Sequence, residues 1–250
     1  MQAIVSDIHA NLAAFQAVLE DIEKHDVTRK ICLGDVIGYG PNPKECLDLA
    51  SEFDLALLGN HEQALMVEFD GATFNDRARG SLDWTRECLS MLSDDKEANA
   101  SRWDFLGTLK ETYTDGEVMY VHGSPRDPVT EYIYPEDLEQ PGKLQAIFNL
   151  IDHLCFVGHS HVAGVYTEDS VFISPYEANF RYRLTNKKTI VNVGSVGQPR
   201  DGDRRASYVL FDGDTIRFRR IPYAVEETVD MIRSESALDD SLADRLQTGR

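Results

Sequence analysis

Residues 3–22 read Ala-Ile-Val-Ser-Asp-Ile-His-Ala-Asn-Leu-Ala-Ala-Phe-Gln-Ala-Val-Leu-Glu-Asp-Ile. The stretch opens as a short apolar strand, Ala3–Ser6, passes through Asp7 and His9, and settles into a helix. Leu12, Phe15, Val18, Leu19 and Ile22 recur at the spacing that places them on one helical face. A second strand is predicted at Lys30–Leu33. Asn42, Pro43 and Glu45 read as an N-cap, a first-turn proline and the return partner of a capping box. Leu55–Leu58 reads as a third strand. Strand and helix alternating in this way predict a parallel sheet covered by helices.

Working outward, residues 75–110 read as helical, with a polar break around Ser93–Ala100. Lys110–Thr114 and Glu117–Val121 flank Asp115-Gly116, a strong hairpin signal. Residues 124–142, rich in Pro, Asp and Tyr, read as an irregular excursion, followed by a helix at about 143–151. Strands are predicted at Leu154–Val157, Gly164–Thr167, Val171–Ser174, Thr189–Val193, Ser207–Phe211 and Thr215–Arg219, the last two joined at Asp212-Gly213. Val225, Val229 and Ile232 suggest a late helix. The acidic stretch with Glu235, Asp239, Asp240 and Asp244 is expected to be a solvated surface or a frayed end. There is no repeat, low-complexity tract or clear linker, so one domain over residues 1–250 is expected.

The composition, 42% hydrophobic and 27% charged, is that of a soluble globular protein. No apolar run approaches the ~20 residues needed to span a bilayer, and no secretory signal is visible. Cys32, Cys46, Cys88 and Cys155 are scattered, with no CxxC pair to hold a thiolate metal site. They need no disulfides, and a reducing cytoplasm is the expected location. The formal net charge of -18 repels nucleic acid and anionic membranes at long range. A small phosphorylated substrate remains compatible with it, because bound cations invert the local field.

Chemistry-bearing residues gather in five short segments: Asp7-Ile8-His9, Gly34-Asp35, Gly59-Asn60-His61-Glu62, His122-Gly123 and Gly158-His159-Ser160-His161. Each follows a predicted strand, and ligands in open α/β sheets bind outside the carboxyl ends of strands. Carboxylate, imidazole and amide oxygen donors suit Mn, Fe, Zn, Ni or Co. A lone Asp-x-His is more often a surface turn than a ligand pair. Five such segments, each after a strand, point to one metal site.

In order and type the five segments resemble the calcineurin-like metallophosphoesterase superfamily. The stretches Gly34-Asp-Val-Ile-Gly-Tyr-Gly-Pro41 and Gly194-Ser-Val-Gly-Gln-Pro-Arg-Asp-Gly202 are similar to a compact, mostly prokaryotic branch, which includes phosphodiesterases and bis-nucleoside tetraphosphate hydrolases. The resemblance runs from Ile4 to about Ile221, with departures at Val193 and Arg204, where the branch often has proline. It implies an α/β fold, a four-layer αββα sandwich of two mixed β-sheets flanked by helices. It implies two divalent transition-metal ions, manganese foremost. One would be held by Asp7, His9 and His161, the other by Asn60, His122 and His159, with Asp35 bridging. A metal-bridging hydroxide would then attack a phosphodiester or nucleoside polyphosphate, and His61 would protonate the leaving oxygen or stabilise the transition state. The same site could serve a protein serine/threonine phosphatase, and the same fold a non-catalytic scaffold. Scaffolds lose ligands, whereas this set is complete.

Arginine offers a planar fork for phosphate oxygens. Arg126, four residues past His122, and the trio Arg200, Arg204 and Arg205 are therefore candidate substrate contacts, weighed against pairing with Asp201 and Asp203. Tyr39 either lines the mouth of the site or packs in the Gly38–Pro41 turn. Tyr132 and Tyr134 either stack on a base or cover their own loop. His25 and His153 match no motif and read as structural.

Overall fold

The computed structural model describes residues 1–67, 75–92 and 95–250. Strands β1 (Gln2–Val5), β2 (Arg29–Cys32) and β3 (Leu55–Ala56) pair in parallel, as the opening segments predict. They join β11 (Ala206–Phe211), β12 (Thr215–Ile221) and β9 (Arg181–Arg183) in a mixed six-stranded sheet of order β3-β2-β1-β11-β12-β9. A second six-stranded sheet runs β4-β5-β6-β10-β7-β8. Its strands are β4 (Thr112–Asp115), β5 (Val118–Val121), β6 (Leu154–Val157), β7 (Gly164–Thr167), β8 (Val171–Ile173) and β10 (Thr189–Asn192).

The alternation of side chains along a strand builds the layers. Ile4, Leu154, Phe156, Val191 and Val209 point into the core between the sheets. Ala3, Val5, Tyr208 and Leu210 point the other way, against helices α1 (Leu12–Ile22), α2 (Pro43–Ala50), α3 (Asn60–Met66), α4 (Asp76–Cys88) and α5 (Lys96–Thr108). Cys155, Val157 and Ile190 pack on α6 (Pro141–Phe148). Strands covered on both faces read as continuous apolar runs, and the result is the four-layer sandwich. Cys32 and Cys155 are buried among these hydrophobes, and all four cysteines are free. No helix among the described residues is long and apolar enough to cross a membrane.

Several expectations need correction. The acidic C-terminal stretch is neither frayed nor merely solvated. It forms α8 (Asp240–Thr248), packed on α7 (Val225–Ser234) through Val229, Ile232, Leu238, Leu242 and Leu246. Asn42 does stand before α2 but makes no side-chain cap, and its N–H donates to the Ala10 carbonyl at 2.9 Å, so Glu45 has no donor to return to. The polar break between α4 and α5 ends sooner than predicted, at Asp95, and residues 93–94 lie outside the described residues. The edge strand β9 was not foreseen.

Candidate metal centre

All five segments leave the C-terminal ends of strands. Asp7 and His9 follow β1, Asp35 follows β2, and Asn60 and His61 open α3 after β3; His122 follows β5, and His159 and His161 follow β6. The strand ends of both sheets therefore meet at one place. The His159 N–H donates to Asp7 Oδ2 across the join at 3.0 Å. The Asp7 and His9 N–H groups donate to the Gly34 and Asp35 carbonyls at 3.0 and 2.9 Å.

These loops carry unusual backbone. Ten non-glycine residues among those described have positive φ, and seven are Asp7, His9, Ala10, Asp35, Tyr39, His159 and His161. Each such residue costs on the order of 1–3 kcal/mol and persists only where its surroundings over-determine it. The turn out of each strand aims the donors inward at that cost. Close approach also explains two of the adjoining glycines. A Cβ on Gly59 would lie 2.1 Å from Asp35 Oδ1, and one on Gly158 would lie 2.1 Å from Ser6 Oγ.

The donors form two overlapping groups. His9 Nε2 lies 3.1 Å from His161 Nε2, and His161 Nε2 lies 3.1 Å from Asp7 Oδ1. His122 Nε2 lies 3.1 Å from His159 Nδ1, 3.2 Å from Asn60 Oδ1 and 3.4 Å from Asp35 Oδ2. Asp35 Oδ2 is also 3.7 Å from His9 Nε2, so it stands between the groups. Donors bound to one ion at ~2.0–2.1 Å lie roughly 2.8–3.4 Å apart on the edges of an octahedron or tetrahedron.

The tautomers make the case stronger. His9 Nδ1 faces the Ile37 carbonyl at 3.1 Å and His161 Nδ1 faces the Gln198 carbonyl at 2.5 Å. Each Nδ1 must carry the proton to donate, which leaves both Nε2 atoms as bare lone pairs facing one another. His159 Nε2 likewise faces the Thr130 carbonyl at 3.1 Å, leaving its Nδ1 bare. Buried Asp7 Oδ1 has no hydrogen-bond donor. Lone pairs crowded in this way repel unless a cation lies between them, and outward N–H groups held by carbonyls are what metal-binding histidines show.

Burial is nearly complete, and it sets the charges. At Asp7 burial pushes the carboxyl up, but the neighbouring His161 outweighs it and the group is held low; at Asp35 His122 and His61 do the same. Burial takes His159 down to about 3 and, against the pull of Asp35, His61 down to about 4. His9 and His161 are lowered by burial too. His122 differs: burial lowers it, but Asp35 beside it brings it up to about 9. Protons and cations compete for such donors.

His61 stands beside Asp35 and His9, its Nε2 4.0 Å from Asp35 Oδ2 and its ring centroid 4.8 Å from that of His9. The Tyr39 ring lies 4.6 Å from His61 and 4.7 Å from His9, so it covers the site as well as filling its turn. Tyr132 stacks on His159 at 3.7 Å and Tyr134 on Tyr132 at 5.2 Å. A cavity of about 320 Å³ opens between Tyr39, Asn60, Asn75, Thr130, Tyr132 and His159.

The arginines separate. Arg200 lies over the Tyr39 ring, 5.7 Å from its centroid. Arg205 is held by Asp203, and the exposed Arg204 approaches Glu226 at 4.0 Å. Arg126 pairs through Nε and Nη2, one edge of its fork, with Glu131, a contact that closes the start of the excursion. His153 Nε2 donates to the Thr185 carbonyl at 2.8 Å and His25 lies beside Asp21, as structural histidines do.

Sequence reasoning assigned no role to Glu62. Its buried carboxylate accepts the N–H groups of Asp35, Val36, Ile37 and Gly59 at 2.8–3.1 Å. Burial, and then Asp35, push it up to about 7. Asn192, buried behind the site, donates to the Gly158 carbonyl and to Ser160. Ser195 Oγ donates to the Asp7 carbonyl at 2.7 Å. The signal for Glu62 was its place in the Gly59–Glu62 segment; the other two stand outside every metal motif.

This fold and donor set define a metallophosphoesterase class of protein. Residues 1–215 match the calcineurin-like phosphoesterase superfamily domain, and the chain belongs to that superfamily. It is 34% identical over 255 residues to the uncharacterised protein MJ0912 of Methanocaldococcus jannaschii, an alignment covering 100% of this chain and 98% of the other. A metallophosphoesterase from Sphaerobacter thermophilus superimposes with a TM-score of 0.81 at 35% identity, covering 100% of this chain and 98% of that one. Protein PH1004 of Pyrococcus horikoshii OT3 shares the fold with a TM-score of 0.77 at 20% identity, covering 100% and 99%.

Proposed function

We propose that the protein is a dinuclear-metal phosphoesterase that hydrolyses a phosphodiester or a nucleoside polyphosphate. The observation that carries this reading is the pair of facing donor groups, His9–His161–Asp7 and His122–His159–Asn60, with Asp35 between them. Asp7, His9 and His161 would hold one cation and Asn60, His122 and His159 the other. Two divalent ions, manganese first among the candidates, supply Lewis acidity that polarises phosphoryl oxygens and makes water a nucleophile near neutral pH.

The protein's own groups do the rest. The carbonyls of Ile37, Gln198 and Thr130 fix the tautomers of His9, His161 and His159. Glu62 fixes the Asp35 loop. His61 would offer a ring N–H to the leaving oxygen, a contribution typically worth ~10²–10⁴-fold where such a group passes a proton. The roof of Tyr39 and Tyr132 limits water around the reacting phosphate and leaves a cavity for the ester's organic part. The partner is thus a small phosphorylated molecule, with an aromatic wall suited to a nucleotide base.

The test is metal analysis together with turnover of bis(4-nitrophenyl) phosphate. Two ions per chain and metal-dependent release of nitrophenolate are expected. One ion at saturation, or full turnover after chelation, would overturn the dinuclear reading.

A further inference from the structure

Beside the metal groups lies a second concentration of charge, made by the Gly194–Gly202 stretch together with α8. Arg200 donates to Gln198 Oε1 through Nε at 3.2 Å and Nη2 at 2.8 Å. Arg245, from α8, approaches the same oxygen through Nη1 at 3.4 Å. Gln198 is buried, and its carbonyl holds the His161 ring. The Arg200 N–H donates to the His161 carbonyl at 3.2 Å. Both guanidiniums are thus tied to the metal-ligand loop through one residue.

The nearby carboxylates are taken. Asp201 pairs with Arg220 and Asp203 with Arg205. Among the described residues neither Arg200 nor Arg245 has a carboxylate at ion-pair distance, although Asp and Glu outnumber Lys and Arg by 43 to 25. Two like charges sharing one neutral acceptor repel; burial, and then Arg200, push Arg245 below the ordinary arginine range. An anion bound between them would relieve this, and the guanidinium fork matches phosphate oxygens.

We propose that Arg200 and Arg245 form a subsite for a second phosphate, adjoining the one that is hydrolysed, so that the substrate is a polyphosphate ester. This rests on the phosphoesterase reading and narrows it. The metal groups take the reacting phosphate, the arginine pair takes the next one, and the Tyr132 side of the cavity takes the organic group.

Calorimetry on the manganese-loaded full chain tests it, with imidodiphosphate, a non-hydrolysable diphosphate analogue, against orthophosphate. Wild type should bind the diphosphate more tightly. Arg200→Gln and Arg245→Gln should each reduce that preference by about tenfold or more, the worth of one charge-assisted contact. Arg245→Lys, which keeps the charge and the helix but lacks the fork, should recover part of it. An unchanged preference in all three variants overturns the subsite. So does equal weakening for both anions, which would mark the pair as mere support for Gln198. Turnover of bis(4-nitrophenyl) phosphate by wild type separates the two readings. Turnover without diphosphate preference sinks the subsite alone. Diphosphate preference without turnover supports the subsite and sinks the catalytic reading.

Discussion

Glu62 touches no proposed ligand atom of either group, yet its carboxylate accepts N–H groups from the loop that carries Asp35 and from the start of α3. Glu62→Gln replaces an oxygen that faces N–H donors with an NH₂ group. We expect metal affinity to fall ~10–100-fold, as for other groups that orient ligands, with a lower melting temperature; unchanged affinity in a metal titration would show that the loop holds itself. Asp35→Asn should cost more activity than Asp7→Asn at saturating metal, because Asp35 stands between the two groups and Asp7 serves one. Comparable losses would remove Asp35 from the bridging position. His61→Ala should keep both ions and lower turnover. If His61 passes a proton, the loss shrinks with good leaving groups such as nitrophenolate; lost metal occupancy would make it a support instead. The donors were legible because each stands in a short motif after a strand. Glu62 was only half legible, because its partners are main-chain N–H groups up to 27 positions away, and main chain carries no sequence signature.

At the scale of elements, α8 is the piece that composition misled. Its acidic residues face solvent, while Leu238, Leu242 and Leu246, four residues apart, face α7. That spacing was in the sequence, and the charge obscured it. Leu246→Ala should destabilise by ~2–5 kcal/mol, seen as a lower thermal midpoint. A change within error would mean that α8 contributes little to folding. The doubly covered strands were legible as apolar runs, whereas β9, Arg-Tyr-Arg, pairs with β12 at the sheet edge and carries no such run. Helix α1 is tied to the first sheet through Asp21, which accepts from Tyr208 of β11 and from Arg219 of β12. Burial pushes Asp21 up, but these bonds outweigh it and hold it below the carboxylate range. A depressed native pKa gives stability present above the unfolded value of ~3.9 and lost as pH falls through the native value. Asp21→Asn should therefore melt below wild type at pH 7, and the gap should close on acidification below about pH 4. A gap independent of pH would assign the effect to packing.

For the whole molecule, the candidate ligands from both sheets converge on one cluster, so ions bound there would join the two halves. Chelation should lower the thermal midpoint of the entire chain in one transition, and added Mn²⁺ should restore it. Each tenfold rise in free ion above the dissociation constant adds about 1.4 kcal/mol. Identical melts with and without chelator would mean that the sheets hold together unaided. The same convergence has a consequence during synthesis. Asp7 and His9 leave the ribosome first, and His161 follows only after ~10–30 s at typical elongation rates. The Gln198 carbonyl that sets the His161 tautomer comes later still. A nascent fragment that ends before Gln198 cannot present the completed donor set, so loading follows synthesis of the segment that carries it. Protein made under metal starvation should therefore accept its ions afterwards, without having to unfold.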